Sequence, residues 1–181
     1  MDRLIVDGNN VLHAHPLYGP MLEEDFEGAR ARFVSDMAGF AHAGVRVVVV
    51  FDGGGSRTSD GAPHHVGPLT VIFSPAGSDA DTVIEALAAR SRLRGERAVV
   101  VTSDVATRNA VASGSVSVRS TGAFLEDLAA EAADRRSRRS SGGTRVAVAD
   151  RVDPDVAGAL ARWARGHAPG AAARERVDAA E

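Results

Sequence analysis

The sequence contains no cysteine and no lysine, and only 4% of its residues are aromatic. Without cysteine there is no disulfide and no thiolate metal site, which suits a reducing compartment. Without lysine every basic side chain is arginine. Together with abundant alanine and glycine, this looks like codon bias and carries no functional signal. Scarce aromatics mean that the core must be built from Val, Ala, Leu and Ile. No apolar run approaches the roughly 20 residues of a membrane-spanning helix. Leu4-Ile5-Val6 starts a strand with no charged-then-apolar leader before it, so a soluble cytoplasmic protein is expected. The formal net charge of −3 excludes a generally basic, nucleic-acid-coating chain. Gly53 to Gly55 lacks the Gly-Lys-Ser/Thr ending of a P-loop, and no two histidines stand at the spacing of helical metal ligands.

What is present is ordinary globular material: 181 residues, 44% hydrophobic and 25% charged, enough for one α/β domain with a proper core. Short β-branched runs alternate with stretches of helical period. Strands are expected at residues 3–7, 45–51, 69–73, 97–102 and 116–118. Helices are expected at 23–43 (Phe26, Ala29, Phe33, Met37 and Phe40 on one face, Gly44 stopping it), 79–93, 105–113 and 122–136. Residues 53–67 read as a loop. Near-continuous hydrophobes such as Val47-Val48-Val49-Val50 mark a strand covered on both faces. The alternation implies an α/β class, a parallel sheet with helices on both faces. The core domain is expected over 1–136. Residues 137–181 then form a basic linker (Arg135 to Arg139 leads into it), an apolar patch at Val146 to Val148, a helix from about Asp155 to Gly166 bearing Trp163, and a flexible tail.

The acids fall where strands end. Asp7 closes the first strand and Asp52 the second, Asp79 and Asp81 open the helix after the third, and Asp104 follows the fourth. That edge of an open parallel sheet is where ligand crevices form. Carboxylates converging there repel one another unless a hard cation such as Mg²⁺ or Mn²⁺ neutralises them. Each also has a structural reading. Ser78 and Asp81 fit a capping box, Asp104 fits a helix N-cap, and Asp52 before Gly53 is best read as a turn residue. Asp7-Gly8-Asn9-Asn10 makes a poor helix start.

Four segments carry a resemblance: Leu4-Ile5-Val6-Asp7-Gly8-Asn9-Asn10, Val49-Val50-Phe51-Asp52-Gly53, Ser78-Asp79-Ala80-Asp81-Thr82-Val83-Ile84-Glu85 and Val101-Thr102-Ser103-Asp104. In order and spacing they resemble the YacP-like NYN domain family of the PIN-like nuclease superfamily, over roughly residues 3–130. The resemblance implies a three-layer sandwich around a five-stranded parallel sheet of order 3-2-1-4-5, with Asp7 and Asp104 side by side. It also implies Asp7 and Asp81 as principal metal ligands, Asp104 completing the acidic cluster and Asn10 orienting a ligand or phosphate. Asn9 stands where relatives commonly have an aromatic. Ser78-Asp79 stands where they often have Glu-Thr, which leaves open whether Asp79 joins the metal or only caps the helix. Glu85 is either an outer acid or a solvated residue.

The resulting expectation is a Mg²⁺- or Mn²⁺-dependent endoribonuclease acting in a ribosome or mRNA-decay context. RNA at an acidic crevice needs cations nearby, and Arg57, Arg108 and Arg119 are the candidates, with Ser103 as a further substrate contact. His13, His15, His64 and His65 read as surface or substrate-contact residues. Only Tyr18, Phe51 and Phe73 are placed to stack on bases, so recognition of RNA shape is expected. The alternatives are a catalytically silent RNA- or ribosome-binding module and a phosphohydrolase of small esters. The latter is disfavoured because position 9 is Asn where such enzymes carry a second Asp.

Overall fold

In a computed structural model, which describes residues 2–41, 45–53 and 59–141, strand β1 (Arg3–Asp7) is buried along its whole length. It lies in the middle of the sheet because its side chains are wanted on both faces. Leu4 and Val6 join one core, and Ile5 joins the other, the two-residue alternation of a pleated strand. On one side of β1 runs β2 (Arg46–Phe51), on the other β5 (Ala98–Val101), both parallel to it. Beyond them lie β4 (Leu69–Phe73) next to β2 and β6 (Val116–Arg119) next to β5, again parallel.

The expected five-stranded, all-parallel sheet is corrected to a six-stranded mixed one, of order β3-β4-β2-β1-β5-β6. The extra strand, β3 (Pro63–Val66), pairs antiparallel with β4 at the edge. It falls inside the stretch read as a loop. Only Val66 of its four residues is buried, so no alternating pattern betrays it. Pro63 at its start is tolerated because an edge strand leaves one row of backbone groups unpaired.

Helices cover both faces. Short α1 (Gly8–Ala14) and α2 (Tyr18–Glu24), then α3 (Phe26–Phe40) and α6 (Thr121–Ser141), are the helical elements on the side of Leu4, Val6 and Phe51. Helices α4 (Ala80–Leu93) and α5 (Val105–Val111) lie on the side of Ile5, Val48 and Val50. The single helix expected over 23–43 is thus two, separated by Asp25, which caps α3 by accepting from Gly28 N. Gly44 lies outside the described residues. The helix expected over 122–136 runs on to Ser141, so the arginine run at 135–139 is helical and not a flexible linker. Residues 142–181, with the apolar patch and the Trp163 helix, lie outside the described residues.

The most informative correction is α1. The strand-to-helix turn at Asp7 works because the Asp7 carboxylate itself accepts the Asn10 amide at 2.9 Å, satisfying a donor at the helix start that would otherwise be orphaned. Gly8 is required there for a second reason: a Cβ would overlap the ring of Phe51, which is fully buried beneath it.

Candidate metal and substrate site

Three of the acids are helix N-caps, so the structural and functional readings coexist. Asp7 caps α1, Asp79 caps α4 by accepting from Thr82 N at 2.8 Å, and Asp104 caps α5 by accepting from Thr107 N at 2.8 Å. Ser78 is not the cap of α4. Because β1, β2 and β5 are parallel neighbours, their carboxyl ends and the start of α4 meet in one cleft of about 670 Å³. Five carboxylates line it: Asp7, Asp52, Asp79, Asp81 and Asp104.

Asp7 sits deepest, with 6% of its surface exposed. Besides the Asn10 amide, it accepts from the Thr102 hydroxyl at 3.3 Å. Its pKa is nevertheless pushed up to about 6. Burial is the main cause, and the negative charges of Asp81 and Asp52 add to it. The other two caps go the opposite way. Asp104 is held below the ordinary carboxylate value by the Thr107 amide and then by the Thr107 hydroxyl, and Asp79 by its bonds from Thr82. Asp81 is tied to Asp104 through one group: the Thr107 hydroxyl is 2.7 Å from Asp81 Oδ1 and 3.0 Å from Asp104 Oδ1. With one proton it can fully satisfy only one of them.

Asn10 is fixed from three sides. Its backbone amide bonds Asp7, and its Oδ1 accepts from the Thr121 hydroxyl at 2.7 Å and from Ser103 N at 3.3 Å. Since Ser103 N can only donate, the side-chain oxygen is assigned and the amide NH₂ is left for the cleft, which Asn10 lines. Ser103 is itself held, its hydroxyl accepting from Thr121 N at 3.1 Å. Asp52 is not a local turn residue. It accepts from Ala80 N and from Asn9 Nδ2, each at 2.7 Å, and so pins the start of α4 and the first turn of α1 to the end of β2. Asn9 thus acts as a tether on the cleft wall.

Most of the other expected residues that the structure describes do not line the cleft. Arg57 lies outside the described residues. Arg108 is exposed on α5 and off the cleft wall. Arg119 is paired with Asp127 at 2.6 Å. Glu85 is exposed and outside the lining. Tyr18, Phe51 and Phe73 are only 3%, 0% and 5% exposed, so none offers a face to a base. His64 and His65 belong to β3, against Phe73 and Thr70. His13, read as a loop residue, is on α1 and lines the cleft. The residues missed altogether are Thr102, Thr107 and Thr121, whose hydroxyls bind the acids and Asn10. The one signal for Thr107 is its place three residues after a capping acid.

Among the described residues no group of three acidic or histidine side chains forms a ready-made ligand set for a metal ion; the carboxylates ring the cleft without closing on its centre. The donor chemistry still fits one kind of ion. It is oxygen only, with carboxylates from β1, β2, α4 and the start of α5, and the field at Asp7 is short of positive charge. That suits a hard, hydrated dication held through few protein oxygens and several waters. No helix among the described residues is long and apolar enough to cross a membrane.

The family model of the YacP-like NYN domain matches residues 4–165, further along the chain than the motif resemblance, which ends near 130. Two crystal structures of Rae1 (YacP) from Bacillus subtilis are similar to this chain, one of them of a single-residue mutant. The mutant structure is 25% identical with a TM-score of 0.62, over 89% of this chain and 99% of that one. The other is 27% identical with a TM-score of 0.62, over 92% and 96%. No curated protein matches in sequence.

Proposed function

The chain belongs to the YacP-like NYN domain family, and from that premise we propose that it is a metal-dependent endoribonuclease whose active site is the acidic cleft. The observation that carries this is the state of Asp7. A nearly buried carboxylate, capped by a backbone amide and still pushed up to about 6 by burial and by two further acids, is a group arranged to receive a cation. We assign Asp7, Asp81 and Asp104 as the residues that hold Mg²⁺ or Mn²⁺, with Asp79 at the rim. When bound, the ion would lower the pKa of a coordinated water and offset charge developing on the scissile phosphate. The protein's own part is positional. Thr107 and Thr102 keep the carboxylates aimed, and the Asn10 NH₂ donates to a phosphate oxygen. Asp52 keeps α1 and α4 at a fixed separation.

With the aromatics buried, substrate choice rests on backbone shape and context, in keeping with action on ribosome-bound or decaying mRNA in the cytoplasm. We take residues 1–136 as the nuclease domain; the match to residue 165 makes part of the remainder belong with it. The second reading, a silent RNA-binding module, is disfavoured by the retention of Asp7, Asp81 and Asp104. Mixed RNA incubated with wild type and with Asp7→Asn/Asp81→Asn, in Mg²⁺, Mn²⁺ or EDTA, tests the proposal. Cleavage by wild type that both the double variant and EDTA abolish is expected. Cleavage surviving either contradicts the site.

A further inference from the structure

The sheet edge opposite the cleft carries charge that the proposed reaction does not use. Four elements have an acid at the cleft end and an arginine at the other. β1 begins at Arg3 and ends at Asp7, Arg46 and Asp52 bracket β2, and Arg97 and Asp104 flank β5. α4 opens at Asp79 and Asp81 and closes on Arg90 and Arg94. The arginines form one patch. Arg3 and Arg46 share Glu96, at 3.5 and 2.8 Å. Arg90 and Arg94 are near enough for their charge to act on Arg3. Arg97 pairs with Asp2, whose backbone carbonyl accepts from Arg46 N. Five arginines against Glu96 and Asp2 leave a local charge of +3 on a chain whose formal net charge is −3.

A helix dipole favours cations in the last turn of α4, but it does not explain Arg3, Arg46 and Arg97. These stand at the starts of three adjacent strands: Arg3 is in register with Arg46 on one side and with Ala98, next to Arg97, on the other. Arg3 and Arg46 therefore stand about 5 Å apart, and Arg97 lies one residue outside that register, before the strand begins. One member is built into the fold. The Arg3 side chain is 9% exposed, donates to Ser91 Oγ at 3.2 Å and faces Glu96, and its buried Nε has no hydrogen-bond partner. With Arg46, Arg90 and the carboxylate of Asp60 it lines a groove of about 560 Å³ between α4 and the sheet. Burying a guanidinium is unfavourable without compensation, so this one is a fixed positive anchor behind the exposed Arg46, Arg90, Arg94 and Arg97.

We propose that this arginine edge is a second docking site for RNA backbone phosphates, separate from the cleft. The inference rests on the ribonuclease reading for the identity of the polyanion. Arginine forks bind phosphate oxygens in pairs, and a row of them reads backbone without reading sequence. Arg3 and Asp7 lie roughly 13 Å apart along β1, so one phosphate cannot serve both edges. The arginine edge holds a different part of a folded RNA while the cleft holds the strand to be cut. A short oligonucleotide occupies the cleft alone.

The test compares full-length wild type with Arg46→Gln/Arg94→Gln/Arg97→Gln, which spares buried Arg3. Binding of a labelled stem-loop RNA is measured in EDTA across a salt series. Cleavage of the stem-loop and of an oligonucleotide too short to span the molecule is measured in Mg²⁺. The variant should bind the stem-loop about tenfold more weakly at low salt, with a salt slope smaller by about 2. Its KM for the stem-loop should rise while kcat/KM for the short oligonucleotide stays unchanged. Unchanged affinity and slope would overturn the inference. So would self-association of wild type that the variant loses while RNA affinity holds, which would mark a head-to-tail contact between copies. Failure of wild type to cleave either RNA defeats the ribonuclease reading alone; stem-loop binding lost in the variant would still support the edge.

Discussion

The Thr107 hydroxyl stands 2.7 Å from Asp81 Oδ1, reaching across from a helix whose own N-cap is Asp104. One threonine thereby sets the separation of two carboxylates that come from different helices. Thr107→Val keeps the shape and the backbone amide that bonds Asp104, and removes only the hydroxyl. Loss of a partner that orients a metal-holding group typically costs roughly 10- to 100-fold in activity or metal affinity. The expected result is that loss in Mg²⁺-supported cleavage with a thermal transition little changed. An unchanged Mg²⁺ dependence would show that Asp81 needs no such hold.

Asp7 makes the metal-free protein pH-sensitive. Its carboxyl is raised in the folded state from 3.8 to about 6, so between about pH 4 and 6 the native chain holds a proton that the unfolded chain has released. Stability from this group is therefore greatest at low pH and falls as pH rises through about 6. At about 1.4 kcal/mol per pH unit, the ionised form carries a penalty of roughly 3 kcal/mol. Asp7→Asn keeps an acceptor for the Asn10 amide and removes the charge. In EDTA at pH 8, denaturant unfolding should find this variant no less stable than wild type and up to that amount more stable, with the gap closing by pH 4. A variant less stable than wild type at pH 8 would refute the burial account.

Asn10 separates structure from chemistry. Asn10→Asp preserves an oxygen for Thr121 and Ser103 but loses the NH₂ and adds negative charge to the cleft. Folding should survive with the bonds to Thr121 and Ser103 kept, and cleavage should fall mainly through kcat. Asn10→Ala leaves Ser103 N and the Thr121 hydroxyl without that acceptor, and should destabilise more, by roughly 1–3 kcal/mol. Calorimetry beside single-turnover kinetics distinguishes the two.

Gly8→Ala tests the close approach of α1 to the sheet. The added methyl meets the Phe51 ring, and overpacking of this kind costs typically about 1–3 kcal/mol. A Gly8→Ala protein as stable as wild type would mean that the turn after Asp7 has slack.

Much of this was legible in the sequence, for reasons that are local. Val47-Val48-Val49-Val50 and Val99-Val100-Val101 show strands buried on two faces, and the acids after them mark the cleft edge. What was not legible is where one residue does two jobs. Asp7-Gly8-Asn9-Asn10 reads as a poor helix start because glycine and asparagine are weak helix formers, yet the carboxylate that faces the cleft also starts the helix. Asp52 reads as a turn residue because its partners, Asn9 and Ala80, are 43 and 28 residues away. Phe51 and Phe73 sit at the right edge to stack on bases, but they stack on each other beneath the site, 5.6 Å between ring centres. A polar, arginine-rich run such as 135–139 resembles a linker, since no apolar stripe reveals that α6 continues through it.

The central claim is that the carboxylate of Asp7 holds the ion that supports RNA cleavage. Mn²⁺ titrated into wild type, Asp7→Asn and Glu85→Gln, with free ion followed by electron paramagnetic resonance and RNA cleavage recorded on the same samples, tests it most directly. Wild type and Glu85→Gln should take up Mn²⁺ and cleave in parallel, and Asp7→Asn should do neither. Cleavage by Asp7→Asn at the wild-type rate, or cleavage by wild type in EDTA, would contradict it.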